Sequence, residues 1–238
     1  MRQAVEESVP GGFRRTSPLP PATAGVRLRE QLLAAARGRP AHVVRGVQAI
    51  RGAADLQALL AGSWFGPDAV GAAPPRWMME RRLAVLGTRP CSLAEAQQAA
   101  IGTPVKLNGV ARSLRPVGGA PLSHIRTVWE NSTRRGLDEP ILVEEGHDFR
   151  LESGEGAILV LAHGGQLVGG WGAGKDGDET ARIVDGDPVQ VLGFVDRLVD
   201  PAPVDAGASP GRWRAPPLRP VVRSGDQLGL LVWDQRSA

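Results

Sequence analysis

Apolar and polar residues alternate along much of the second half of the chain. Residues 105–109 and 189–193 share one pattern, in which two apolar residues separated by one position are followed by a glycine. Alternation with a period of two predicts half-buried strands, and the glycines predict bends such as barrels use. After Gly109 the apolar positions shift to Val110 and Leu114, so we expect a β-bulge or a sharp coil there. The pattern predicts a small, curved antiparallel β-barrel or sandwich.

Other short segments of the second half have the same strand-like composition. We expect further strands at 124–129, 141–144, 148–151, 157–162, 166–169, 189–199 and 228–233. The sequence Ser-Gly-Glu-Gly at 153–156 predicts a hairpin turn between two of them. Apolar side chains that point to one side of these strands should share a single core. The predicted members of that core are Val105, Leu107, Phe149, Leu151, Val160, Val189 and Val191.

The first 102 residues follow a different pattern. Residues 1–24 are rich in glycine and proline and poor in apolar residues, which predicts a flexible leader. Over 25–102, leucines recur at spacings of three and four, which predicts a mainly helical region, interrupted by a strand-like segment at 41–50. A capping box at Ser92 and Glu95 begins a helix that we expect to end at Gly102.

These segments together predict the fold class α+β. A helical N-terminal region precedes an OB-like antiparallel β-barrel or sandwich over residues 103–234. Within that β-domain, six prolines fall between residues 200 and 220, so we expect a proline-rich loop there.

Composition narrows the possible classes of protein. The 238 residues carry a net charge of +3, and the arginines that supply most of the positive charge are scattered, unlike those of a basic nucleic-acid arm. Cys91 is the single cysteine, which excludes an intrachain disulfide or a cysteine-based zinc site. The N-terminus lacks a signal-peptide pattern, and the longest apolar run, 157–162, is far shorter than the ~20 residues of a membrane span. We expect a cytoplasmic protein without an integral membrane segment.

A glycine-rich segment at 169–175 matches the first part of a phosphate-binding loop and ends in Lys175. The next residue is Asp176, where that motif needs a hydroxyl group for magnesium, and no helical pattern follows it. We expect a β-loop that binds no nucleotide. Asp176, Asp178 and Glu179 resemble a fragment of a calcium loop but lack its full ligand spacing and flanking helices, so a solvated turn is the better interpretation. No metal and no cofactor is predicted.

Nucleophiles and bases are also poorly placed for catalysis. The four histidines, His42, His124, His147 and His163, show no metal-binding spacing and no adjacent nucleophile. Cys91 precedes a predicted helix N-terminus, which lowers a thiol pKa, but the sequence places no base beside it. We favour a small packed residue at the helix entry, and we predict no catalytic residues.

Arginine and tryptophan residues are the better candidates for binding, because both serve as interface anchors. Trp213 lies between two arginines in the proline-rich loop, and Trp171 lies in the glycine-rich segment. Trp129 and Phe149 could serve as stacking platforms for a single strand on an OB-like surface, although both fit a core equally well. The candidate interaction residues are Arg126, Arg150, Trp171, Arg212, Trp213 and Arg214.

The order of strands and turns over 103–233 resembles the beside-a-membrane (GIDE-type) domain that occurs in mitochondrial ubiquitin ligases. The stretches that carry the resemblance are 102–110, 121–123, 148–152, 156–160, 185–193 and 212–217. The chain lacks the transmembrane segments and the Cys/His-rich RING of those ligases, and His124 and Ile125 replace the Cys and Tyr common among relatives. The resemblance therefore implies an OB-like binding or scaffolding domain, and it does not imply ligase activity.

The function that this sequence favours is a non-enzymatic protein-interaction or scaffolding module with an unknown protein partner. An OB-like protein that binds single-stranded nucleic acid is the alternative, and it would show affinity that falls steeply with salt. An undetected hydrolase or nucleotide enzyme would instead need polar groups that converge in a pocket.

Overall fold

The structure is a computed structural model of the 238-residue chain. It describes residues 5–9, 11–18, 38, 40–49, 76–114, 127–134, 141–168, 171–173, 179–199, 218–225 and 228–236.

Three helices and thirteen strands lie within these residues. The helices are α1 (Ala41–Gln48), α2 (Arg76–Leu86) and α3 (Leu93–Gln98). The strands are β1 (Val5–Val9), β2 (Gly12–Pro18), β3 (Pro104–Ser113), β4 (Thr127–Arg134), β5 (Ile141–His147), β6 (Phe149–Ser153), β7 (Gly156–Val160), β8 (Gln166–Val168), β9 (Trp171–Ala173), β10 (Glu179–Val184), β11 (Pro188–Val199), β12 (Leu218–Arg223) and β13 (Leu231–Asp234).

Five strands close into a β-barrel, as the alternating pattern predicts. Around the barrel the order is β3, β6, β7, β12, β11 and back to β3. All of these neighbours are antiparallel except β7 and β12, which run parallel. β13 pairs with the first half of β11 and carries β8 at its other edge, which extends the barrel wall to a seven-stranded sheet.

The barrel interior confirms the predicted core. All seven predicted core residues are at most 3% exposed and belong to one buried cluster. The hairpin turn at 153–156 is also confirmed, because β6 pairs with β7 up to Ser153 and Gly156.

The predicted change of phase after Gly109 is wrong. β3 pairs with β11 without interruption from Pro104 to Val110, and inward-facing positions continue through Gly109 to the fully buried Ala111. Val110 lies half-buried on the outside. Gly109 is required by close packing, since an added Cβ would lie 2.6 Å from the carbonyl oxygen of Glu152. Because β3 carries apolar residues on both faces, its sequence shows a shift in the apolar positions although the strand itself continues without a bulge.

Gly193 marks the point where the long strand β11 changes partner. Val189–Leu192 pair with β13, and Phe194–Val199 pair with β12 on the same edge. An added Cβ at Gly193 would lie 2.5 Å from Val222 Cγ1, so the absence of a side chain allows this close approach.

A second sheet is built from three separate parts of the chain. Its order is β1, β2, β5, β4, β10, β9. The expectation that residues 1–24 form a flexible leader is wrong for Val5–Val9 and Gly12–Pro18, because both segments are strands of this sheet. Phe13 of β2 is fully buried and makes an edge-to-face contact with Trp129, their ring centroids 5.4 Å apart.

A buried ion pair joins the six-stranded sheet to β8 of the other sheet. Arg15 donates to Glu144 Oε2 from Nε at 3.0 Å and from Nη2 at 2.6 Å. Nη2 also donates to the carbonyl oxygen of Gly165 at 2.6 Å, while Glu144 Oε1 accepts from the backbone N–H of Leu167 at 3.3 Å. An inward-facing arginine makes β2 look polar in sequence, and this explains why its strand pattern was missed.

Helices α1 and α2 cover the outer face of β11 and β13. The strand expected at 41–50 is wrong, since α1 places Val43 and Val47 four residues apart on one buried face. Gly46 of α1 lies directly against α2, where an added Cβ would be 1.9 Å from the carbonyl oxygen of Leu83. Packing between the helices thus outweighs the strand preference of three valines. At the end of α2, Lys106 Nζ donates to the carbonyl oxygen of Leu86 at 2.6 Å.

Helix α3 begins as the capping box predicts. Ser92 Oγ accepts from the backbone N–H of Glu95 at 3.1 Å, and Glu95 Oε2 accepts from the backbone N–H of Ser92 at 2.7 Å. The helix ends at Gln98 rather than Gly102, because Ala99 already has extended backbone angles, φ −64° and ψ 151°. Gly102, at φ 81°, donates its N–H to the carbonyl oxygen of Val195 at 2.8 Å. Leu93 and Ala96 of α3 join the barrel core.

Several predicted segments fall outside the described residues. These are the helical spacings over 19–37 and 50–75 and the proline-rich stretch at 201–217, so the predicted extent of the helical region and of the loop stays a prediction. The loop was expected to reach residue 220, but Leu218–Arg223 form strand β12. This strand was not predicted because it contains Pro220. Proline has no N–H to donate to a neighbouring strand, so its presence counts against a central strand.

Candidate functional site

The outer surface of β3, β6 and β7, which we call the β3–β6–β7 face, carries Arg150. Phe149 and Leu151 are fully buried in the barrel, so alternation along β6 places Arg150 on the outside. The register sets Arg150 directly opposite Arg112 of β3 and opposite Leu159 of β7. Two cations therefore lie side by side on this face.

The arginine pair is only loosely neutralised. Each arginine side chain is 46% exposed. Glu152 lies between them, 3.4 Å from Arg112 Nε and 3.7 Å from Arg150 Nη1. Both distances exceed the 2.7–3.2 Å of a good hydrogen bond. Cations directly opposite each other repel, and Glu152 relieves that repulsion without saturating either guanidinium.

A tight turn between β10 and β11 forms one wall beside Arg112. In this turn Gly186 adopts φ 98° and donates its N–H to the carbonyl oxygen of Ala111 at 2.8 Å. Asp185 Oδ1 accepts from the backbone N–H of Ser113 at 2.7 Å, and its Oδ2 lies 3.7 Å from Arg112 Nη1. Asp185 is therefore held primarily by the backbone of β3.

A second carboxylate fixes the turn from behind. Asp187 is buried, and its Oδ2 accepts from the backbone N–H of Val184 at 2.7 Å and lies 2.9 Å from Arg236 Nη1. Arg236 also binds Asp234, and its Nη2 donates to the carbonyl oxygen of Arg182 at 2.6 Å. These contacts hold the turn in place from the side opposite Arg112.

Between the turn and the arginines lies an open groove of about 330 Å³. Its lining is mainly polar and consists of Arg112, Ser113, Leu114, Arg150, Glu152 and Asp185. Leu114 is 42% exposed and adds an apolar side chain at the rim.

Apolar side chains also lie on and beside this face. Val110 and Leu159 are half-buried and Ala157 is exposed, while the exposed Pro188 lies on the neighbouring strand β11 opposite Val110. Arginine among partly exposed apolar side chains is typical of the residues that proteins use to contact other proteins. A ligand in the groove can therefore form hydrogen bonds with the arginines and apolar contacts with the side chains beside them.

Most of the other predicted interaction residues lie outside the described residues. Arg126, Arg212, Trp213 and Arg214 belong to this group. The backbone of Trp171 begins the short strand β9, but the structure does not describe its side chain. Of the six predicted residues, Arg150 is the one whose side chain can be placed in the site.

The two aromatic residues considered as stacking platforms are core residues. Trp129 and Phe149 are both fully buried in the main cluster. Gly146 accommodates the Trp129 ring, since an added Cβ there would lie 2.9 Å from Trp129 Cε2. Neither ring is accessible to a nucleic acid.

The glycine-rich segment does not have the surroundings of a phosphate-binding loop. Trp171–Ala173 form β9, which pairs antiparallel with β10 at Glu179–Ala181. The element that follows the segment is thus a strand, whereas a phosphate-binding loop leads into a helix N-terminus. Residues 169–170 and 174–178 lie outside the described residues.

The histidines that the structure describes contact neighbours within the sheets. His147 Nε2 lies 3.2 Å from Glu145 Oε1. The neighbouring Asp148 accepts a hydrogen bond from the backbone N–H of Ala162 at 2.8 Å instead of pairing with His147. His163 is exposed, with its ring centroid 6.5 Å from that of Phe13. The side chains of His42 and His124 are not among those described.

Cys91 is half-buried one residue before the N-cap of α3. Burial raises the pKa of its thiol, although a hydrogen bond with the backbone of Lys106 acts in the opposite direction. The net shift of this pKa is upward, which disfavours the thiolate form that a reactive cysteine needs. Among the described residues, no group of three or more His, Cys, Asp and Glu side chains is arranged to hold a metal ion.

Arg112, Glu152 and Asp185 are site residues that were not identified from the sequence. Alternation along β3 places Arg112 outside once the strand is known to continue unbroken through Gly109. Its position beside Arg150 depends on the register between β3 and β6, which no local pattern specifies.

Comparisons with known proteins provide no relative for this arrangement. No protein-family model, no curated protein sequence and no solved structure matches the chain. None of the helices within the described residues has the length and apolar character needed to cross a membrane.

Proposed function

We propose that the chain is a non-enzymatic protein-interaction module whose β3–β6–β7 face binds a partner protein in the cytoplasm. The observation that carries this proposal is the cross-strand pair of Arg112 and Arg150, each half exposed and loosely paired with Glu152. Arginine is a frequent interface anchor because its guanidinium provides several directed hydrogen bonds beside an apolar stem. Leu114 and Leu159 supply apolar surface beside the pair.

The topology of the barrel supports an OB-like assignment. If the five barrel strands are numbered along the chain, their order around the barrel is 1-2-3-5-4, and strand 4 pairs with strand 1 to close the ring. OB folds bind ligands on the face of the second and third strands, together with the loops after the first and fourth. In this chain the second and third strands are β6 and β7, and the loop after the fourth contains Arg212, Trp213 and Arg214. A relationship to the GIDE-type domain is part of this proposal.

Single-stranded nucleic acid is the second candidate ligand. The OB-like strand order and the arginine pair favour it, since ssDNA-binding OB folds combine cations with aromatic platforms. The burial of Trp129 and Phe149 favours the protein partner instead, because it removes two of the predicted platforms.

Charge reversal on the face tests the proposal. The full chain would be captured from cells after reversible cross-linking, as wild type, as Arg112→Glu/Arg150→Glu, and as Arg182→Glu. Arg182 is a matched control because its side chain is 51% exposed and lies on the other sheet, 2.9 Å from Glu130, and its contact with the groove wall, through Arg236, is made by its backbone carbonyl. We expect the same protein partner with wild type and the control and its loss with the double variant, while the thermal midpoints agree.

Equal recovery from all three proteins would contradict the proposal. Recovery of nuclease-sensitive material, together with binding of single-stranded DNA that falls steeply with salt, would favour the second candidate.

A further inference from the structure

The β3–β6–β7 face also indicates the chemistry of its partner. We propose that the partner presents an acidic segment, one carboxylate of which binds between Arg112 and Arg150 and takes over the place of Glu152. This inference rests on the proposed function and specifies the partner class at the same groove.

The first argument is the hydrogen-bonding capacity of the two arginines. A guanidinium presents five N–H donors in a planar fork that matches a carboxylate. Within the described part of the chain, the one acidic contact of Arg150 is Glu152 at 3.7 Å, which is too long for a hydrogen bond. Carboxylate–arginine hydrogen bonds are normally 2.7–2.9 Å long. An incoming carboxylate can therefore make contacts that Glu152 does not make.

The second argument is that the two carboxylates of the groove are held with different strength. Asp185 is held by the backbone N–H of Ser113 at 2.7 Å and stays with β3. Glu152 is 38% exposed and has contacts of 3.4 Å and 3.7 Å with the two arginines. Glu152 is thus a weakly held internal competitor for the position that a partner carboxylate would take.

The third argument is the apolar surface around the pair. Leu114 is 42% exposed at one side of the groove, and Leu159 is half-buried at the other side of Arg150. A segment that alternates acidic and apolar side chains would place a carboxylate on the arginines and an apolar side chain on each leucine. A basic side chain in that place could not hydrogen-bond either guanidinium, because both groups only donate.

Fluorescence anisotropy with defined probes tests this chemistry on the full chain. The probe is a labelled octapeptide of alternating glutamate and leucine. A peptide of alternating lysine and leucine and a twelve-nucleotide oligothymidylate are the comparisons. Wild type should bind the acidic peptide more tightly than either comparison ligand. Arg112→Gln/Arg150→Gln should weaken this binding by about tenfold or more, because both charge-assisted contacts are lost. Arg182→Gln is the matched control and should leave it unchanged.

Glu152→Gln gives the decisive result, since it should tighten binding of the acidic peptide by about threefold or more by removing the competing charge. Weaker or unchanged binding by this variant, or equal binding of the acidic and basic peptides, would overturn the inference. Another outcome is that wild type does not bind the acidic peptide although Arg112→Glu/Arg150→Glu still abolishes capture of the cross-linked partner. In that case the proposed function stands and the partner chemistry is wrong. If the partner is retained by that variant, the proposed function itself fails.

Discussion

The buried ion pair between Arg15 and Glu144 makes a strong prediction about stability. The two side chains are 9% and 4% exposed, and they connect the six-stranded sheet to Gly165 and Leu167 of the barrel wall. Replacing Glu144 by Gln keeps the volume but removes the charge that accepts two hydrogen bonds from Arg15. The guanidinium would stay buried and keep its hydrogen bond to the carbonyl oxygen of Gly165.

Breaking one side of a buried pair costs about 3–5 kcal/mol. Since the amide of Gln can still accept one hydrogen bond from Arg15, we expect the lower end, about 3 kcal/mol of unfolding free energy. With a urea slope of about 2 kcal/mol per molar, this loss lowers the unfolding midpoint by about 1.5 M. Urea titration followed by tryptophan fluorescence measures that shift.

The adjacent pair on the same strands is an internal control. Arg14 donates to Glu145 at 2.7 Å, but the two side chains are 52% and 34% exposed, so solvent screens the interaction. Glu145→Gln should leave the midpoint nearly unchanged. The double variant Arg15→Met/Glu144→Leu should be more stable than Glu144→Gln, because it removes both charges of the ion pair instead of leaving a buried guanidinium without its carboxylate. Equal shifts for Glu144→Gln and Glu145→Gln would refute this reasoning.

Three further predictions concern packing and pH. Gly146→Ala should destabilise by about 1–3 kcal/mol in urea titration, because the new Cβ would lie 2.7 Å from a ring carbon of buried Phe13. Gly193→Val should also lower the urea midpoint, since even a Cβ at that position would lie 2.5 Å from a side-chain carbon of β12. For Asp234, burial would raise the carboxyl pKa, but hydrogen bonds and the charge of Arg236 outweigh it and lower the pKa below its ordinary value. Its stabilising contribution is present at neutral pH and lost as the pH falls below about 4, so Asp234→Asn should show a smaller loss of thermal midpoint on acidification.

The sequence predicts the barrel where the chain separates apolar and polar residues cleanly. Phe149 and Leu151 alternate with Arg150 and Glu152, so β6 and its core face were predictable. β2 was not, because Arg15 occupies an inward position that only a partner from β5 makes tolerable. Long-range pairing of this kind leaves no local signal.

Helix α1 and the groove beside Arg112 were not predicted, for related reasons. Valines favour strands locally, and only the contact of Gly46 with Leu83 makes the helix the better solution. Arg150 is a candidate in the sequence because it neighbours the aromatic Phe149 in a predicted strand. Its partner Arg112 is not, because the register that places the two side by side is set by the barrel as a whole.

Site-specific photo-cross-linking tests the binding face most directly. A photoreactive phenylalanine analogue would replace either Leu114 at the groove rim or Arg182 on the outer face of the other sheet. Leu114 is 42% exposed and lines the groove, so its replacement leaves the core intact. A discrete cross-linked protein product from position 114, with none from position 182, is the result that we predict. Cross-links from position 182 alone, or equally from both positions, would contradict a partner bound at Arg112 and Arg150.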